Sequence, residues 1–116
     1  ALRLDLVSDP LPAERFDLIC SLMTFHHITD TAGLLRDLHT LLDTPGHLCV
    51  ADLDREDGSF HGPGFTGHLG FDRTALAGEA QAAGFHDIDF STVFHVSKPE
   101  SAGQTDFPIF LMIARK

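Results

Sequence analysis

The segment that most limits what this chain can become is FDLICSLM, residues 16–23. Its apolar positions run almost unbroken, the pattern of a strand buried on both faces of a parallel sheet. Such a strand needs a neighbour on each side and a layer over each face. Two adjacent histidines, His26 and His27, follow it, and then Asp30, a good helix N-cap. A buried strand thus ends in a pair of titratable rings.

The flanking pattern supplies candidates for the neighbours. Leu2 to Val7 alternates loosely and reads as a short strand, and the proline-rich SDPLPAER is a turn-rich link. From Thr31 to about Asp43 the spacing predicts a helix. Leu34, Leu38, Leu41 and Leu42 share one face, Leu35 widens it, and Arg36, Asp37, His39 and Thr40 lie opposite. Pro45 and Gly46 stop that helix. His47 to Asp54 reads as a second buried strand ending in carboxylates. Residues 55–71, rich in glycine, form a loop long enough to suggest function. Asp72 caps a second helix over 73–83, with Leu76, Ala80 and Ala83 inward and Gly84 ending it. Phe85 to Val96 alternates, whereas Phe107 to Ala114 is nearly all apolar. The SKPESAGQTD link between them lacks helical pattern, so this pair reads as an antiparallel hairpin. The order β, β, α, β, α, β, β is an α/β class, with parallel strands joined by right-handed crossovers and an antiparallel C-terminal hairpin.

With 116 residues the chain is one domain, and 43% hydrophobic residues give it a real though small core. A net charge of −9 opposes non-specific nucleic-acid binding and docking on anionic membranes. It suits a cationic small ligand. Cys20 and Cys49 both lie in apolar runs and read as buried thiols, which fits a cytoplasmic protein better than a disulfide framework. No apolar run approaches the ~18–20 residues of a membrane span.

Polar residues with chemical potential converge on one edge. In open α/β sheets ligands bind outside the carboxyl ends of the strands. His26, His27, Asp52 and Asp54 follow strand ends, and His61 and His68 lie in the long loop. These groups could supply metal ligands, but no HExxH or CxxC spacing specifies one. DLDREDG at 52–58 fails the calcium-loop pattern, with Asp57 where glycine is needed and Pro63 where glutamate is. No metal is therefore assigned, and a His/Asp metal-binding protein stays an alternative. Ser21 and Ser59 lack a nucleophile elbow, and GPGFTG does not sit between a strand and a helix.

Read together, three blocks resemble the C-terminal half of a class I S-adenosylmethionine-dependent methyltransferase, of the small-molecule type that includes quinone-biosynthesis enzymes. They are DLVSDPLPAERFDLICSLMTFHHITD, LLRDLHTLLDTPGHLCVADLD and GFDRTALAGEAQAAGF. The resemblance implies a partial Rossmann-like three-layer sheet. It implies that Asp5 accepts a hydrogen bond from the adenine amine of S-adenosylmethionine and that the Leu6 amide reaches a ring nitrogen. Ser21 and Leu22 would present backbone groups to the methionine end. His26 and His27 would line the transfer pocket, an imidazole there acting as general base on a small-molecule acceptor. The 55–71 loop would cover that acceptor.

The family's glycine-rich loop and the acidic residue that holds the ribose have no counterpart here. Residues 1–116 are therefore expected to be the C-terminal portion of a methyltransferase domain. The unpaired side of residues 16–23 would either meet a missing N-terminal half or drive self-association. A non-catalytic binding or dimerisation module derived from a methyltransferase is the alternative on the same residues.

Overall fold

The computed structural model describes residues 5–116. The chain folds as β1 (Phe16–Leu22), a 3-10 turn (Phe25–His27), α1 (Thr31–Leu41), β2 (Leu42–Leu53), α2 (Arg73–Ala83), β3 (His86–Ser97) and β4 (Asp106–Arg115). One sheet runs in the order β1-β2-β4-β3. β1 and β2 are parallel, whereas β4 is antiparallel to both β2 and β3. This is the mixed α/β, Rossmann-like arrangement with the C-terminal hairpin anticipated above.

Local chemistry sets the helix ends. The Asp30 carboxylate accepts the Gly33 amide, and that of Asp72 accepts the Ala75 amide, each satisfying an orphan donor of the first turn. Gly84 closes α2 with φ 110°, a left-handed conformation that a side chain resists. α1 ends at Leu41, slightly before the expected Asp43, and the strand begins at once. Phe16 pairs with Leu42, then Leu18 with His47, so the residues between bulge out around Pro45 and Gly46. Leu2 to Leu4 lie outside the described residues. Asp5 to Val7 form no strand but lead into a turn, with Asp9 donating its amide to the Asp5 carbonyl at 2.7 Å.

Both helices cover the same face of the sheet. Leu35, Leu38 and Leu41 of α1 and Leu76 and Ala80 of α2 pack in one core with Leu48 and Val50 of β2 and Phe110, Met112 and Ala114 of β4. Leu34 sits at its margin. On the opposite face a smaller cluster of Leu53, Phe107 and Ile109 is capped by Phe60 from the long loop. The rest of that face lacks a layer among the described residues. Leu18 is 56% exposed, Leu22 71%, Phe94 64% and Ile113 39%.

The expectation that residues 16–23 are buried on both faces therefore fails here. β1 is an edge strand, hydrogen-bonded to β2 alone, and only Ile19 and Ser21 are even half-buried. The same placement corrects the reading of Cys20, which is exposed, while Cys49 beside it is half-buried; both are free thiols. The physical reason is the missing cover: Leu18, Cys20 and Leu22 point to the bare face, away from the helices.

The 55–71 loop is held to the sheet by backbone bonds. Arg55 donates to the Phe71 carbonyl and Glu56 to that of Leu69, each at 3.0 Å. Gly70 makes this return possible. Its φ is +71°, and a Cβ there would collide with the Asp54 carbonyl.

Candidate active site

Because β1 and β2 are parallel, their carboxyl ends open on the same edge. β1 stops at Leu22, and Met23 turns the chain with φ 53°. The 3-10 turn that follows sends Phe25 and His26 inward and leaves His27 outside. Asp52, near the end of β2, points to the same helix-covered side as Leu48 and Val50 by strand alternation, and is fully buried.

There the two strands' side chains meet. His26 Nδ1 lies 2.6 Å from Asp52 Oδ1, and the His26 amide donates to Asp52 Oδ2 at 3.1 Å. The Leu53 amide also donates to Asp52 Oδ1, at 2.7 Å. Both Asp52 oxygens already accept backbone amides, so the ring edge that meets Oδ1 is Nδ1 as donor, and Nε2 makes no hydrogen bond among the described residues. The loop completes the surroundings. The His61 ring centre is 5.0 Å from that of His26 and 5.6 Å from that of His27, and His26 and His27 are 4.1 Å apart. Phe65 stacks on His61 at 3.8 Å. Gly67 is needed at this point, since a Cβ would run into the His26 carbonyl and the Phe65 ring. His61 is held below the usual imidazole range, first by burial and then by the neighbouring His26 and His27.

Glu56 is buried at the root of the same loop. Its Oε2 accepts the Gly58 amide at 2.8 Å, while Oε1 has no hydrogen-bond partner among the described residues. Lys98 reaches the Phe60 carbonyl at 2.6 Å and sits over the Phe60 ring.

Beside this cluster, Asp5, Leu6, Ser21 and Leu22 line one cleft of about 720 Å³, with Ile19 and Leu38 forming apolar wall. That volume suits a small-molecule or cofactor site. Asp5 accepts the Val7 amide at 2.9 Å, and this bond, followed by the Ser8 hydroxyl, holds its carboxyl below the usual range. His27 lines a second cleft of about 490 Å³, which shares Leu6, Val7, Ile28 and Leu34 with elements around the first. His26 lines neither cleft; its free edge is on the side of His27 and His61.

Two of the residues expected at this edge serve structure. Asp54 is clamped by Arg73, whose Nε and Nη2 donate to Oδ1 and Oδ2, both at 2.8 Å. The pair raises the guanidinium further above its ordinary value. His68 Nε2 lies 2.9 Å from the Ile28 carbonyl and its amide donates to that of His26, which pins the loop to the 3-10 turn. His61 gathers with His26 and His27 at the edge where the strand-end and loop positions place it, whereas the buried Glu56 was not among the expected residues.

Residues 4–89 match the family model of a methyltransferase domain. No curated protein sequence matches the chain at a significant level. Among solved structures, human N-acetylserotonin methyltransferase in complex with SAM superposes with a TM-score of 0.65 at 22% identity, over 99% of this chain and 33% of that one. A SAM-dependent methyltransferase from Thermotoga maritima gives 0.66 at 20%, over 93% and 59%. The cyclase SpnF gives 0.67 at 17%, over 97% and 55%. The chain thus spans between about a third and three-fifths of the length of these three proteins. At such identities the likeness is one of fold, and SpnF carries a different reaction in its name.

Proposed function

The chain belongs to the methyltransferase domain family, and on that premise we propose that it forms the C-terminal portion of a domain that transfers a methyl group from S-adenosylmethionine to a small-molecule acceptor. The observation that carries the reading is the buried Asp52–His26 contact beside a cleft lined by Asp5, Leu6, Ser21 and Leu22. The residues present fit one side of the cofactor. Asp5 is a carboxylate with acceptor capacity left after the Val7 bond, suited to an amine, and Leu6 adds a backbone amide beside it. Ser21 and Leu22 offer backbone groups at the strand end. The cofactor supplies an electrophilic methyl on a sulfonium centre.

This chain's part in the chemistry is alignment and proton removal. Asp52 fixes the His26 ring through Nδ1–H, so that Nε2 accepts a proton from an O–H or N–H nucleophile. His27 and Phe65, with ring centres 4.1 and 6.1 Å from that of His26, supply ring surface around it for the acceptor.

The bare edge of β1 belongs to the same reading. Further strands would pair with β1, and a helical layer would cover Leu18, Leu22, Phe94 and Ile113, completing the third layer of a cytoplasmic enzyme. A second reading uses the same edge: a non-catalytic module that self-associates through it. No helix among the described residues is long and apolar enough to cross a membrane.

The test is methyl transfer by the complete protein from isotopically labelled S-adenosylmethionine to a panel of phenols, amines and thiols. Labelled product is expected from at least one class, falling on the order of 10²-fold or more in His26→Gln. Cofactor binding without transfer to any class, in a protein that dimerises through β1, favours the module instead.

A further inference from the structure

We propose that His26, His27 and His61 form a binding site for a divalent transition metal of the zinc class. No spacing in the sequence announces it, because His61 arrives from the far side of the long loop. Folding brings one ring nitrogen of each residue within 4.8 Å of the other two. A tetrahedral centre with metal–nitrogen bonds of about 2.0–2.1 Å needs donors somewhat closer than that. Closing that difference requires the exposed His27 and His61 rings to turn as the metal binds, His61 within the plane of its stack on Phe65.

Three further features favour a metal over three idle imidazoles. Asp52 holds His26 through Nδ1, the carboxylate–histidine arrangement that fixes a ligand ring and raises the basicity of its other nitrogen. Phe65 stacked on His61 restrains the second ring. The buried Glu56 Oε1 has no hydrogen-bond partner among the described residues, and Oε2 of the same carboxyl accepts the amide of Phe60, next to His61, at 3.4 Å, so a partnerless acceptor lies at the root of the cluster. An all-imidazole donor set selects zinc, cobalt, nickel or copper over magnesium and calcium, which prefer oxygen. The two exposed rings leave a coordination position open to solvent. The site goes beyond the methyl-transfer reading and competes with it at one atom. His26 Nε2 holds either a metal or a proton, so the loaded protein cannot use His26 as a base.

The experiment is titration of untagged, chelator-stripped protein with Co(II), followed by visible absorption and displacement with Zn(II). One equivalent is expected, with the intense bands of four- or five-coordinate cobalt. His27→Ala and His61→Ala should each weaken binding at least about tenfold, and Asp52→Asn about 10–100-fold. His86→Ala, a control on the exposed His86–Asp87 pair, should change nothing. Circular dichroism checks the fold, and His61→Gln serves if His61→Ala does not fold. Absence of a saturable band, binding that survives loss of His61, or binding lost in His86→Ala overturns the proposal. Binding of S-adenosylhomocysteine to the same stripped samples reports on the methyl-transfer reading separately.

Discussion

His26 and Asp52 meet twice: ring nitrogen to one carboxylate oxygen at 2.6 Å, and backbone amide to the other at 3.1 Å. Their side chains are 2% and 0% exposed. The double contact ties the turn after β1 to the end of β2 and sets the ring's angle. Asp52→Ala would strand three buried donors: His26 Nδ1–H, the His26 amide and the Leu53 amide. We expect a loss of about 3 kcal/mol, read from the urea midpoint at constant m-value. Asp52→Asn keeps the shape and part of the bonding, and should cost less.

Stability should depend on pH through His39. Its ring packs edge-on against Phe85, and burial, then Lys116, lowers its affinity for protons. In the unfolded chain the ring titrates near about 6.5. Below that pH the unfolded state binds the proton first, so stability falls as pH drops toward the folded value. Urea unfolding at about pH 7.5 and about pH 5.5 checks this. The wild type should lose more stability than His39→Gln over that interval.

Arg73 joins the start of α2 to the end of β2 by its fork on Asp54, and it also donates to Thr92 Oγ1 of β3 at 2.8 Å. A lysine cannot reproduce the planar fork. Arg73→Lys should destabilise by about 1 kcal/mol, a modest figure because the pair is partly exposed and screened. Chemical denaturation in low and high salt measures it, with the difference from wild type shrinking as salt rises.

The exposed edge predicts a pattern of amide exchange. In a strand, successive amides point to opposite sides, so an edge strand protects only those facing its neighbour. If further strands flank β1 in the complete protein, consecutive amides from Asp17 to Leu22 will all exchange slowly. Alternating fast and slow exchange would mean that the edge stays open.

What the sequence revealed follows the range of the signals. Both helix caps, the Gly84 stop and the antiparallel hairpin rest on contacts within a few residues, and they are where the residues said. FDLICSLM declared its strand but not its surroundings, because apolar composition records what a strand is built to touch. Leu18 and Cys20 point to a face that the described residues do not cover. At the site, the strand-end positions of His26 and Asp52 were legible, whereas their hydrogen bond was not. The convergence of His61 depends on how a long loop folds back through Gly67 and Gly70, which no periodicity encodes. Asp54 and His68 bear the residue types of a site yet spend their bonds on Arg73 and on backbone carbonyls.

The central claim is that this chain supplies one wall of an S-adenosylmethionine site, and calorimetry with S-adenosylhomocysteine tests it most directly. The complete protein should bind one equivalent, and Asp5→Ala, which removes the proposed acceptor for the adenine amine, should weaken binding about tenfold. No binding by the wild type, or the same affinity in Asp5→Ala, would contradict it.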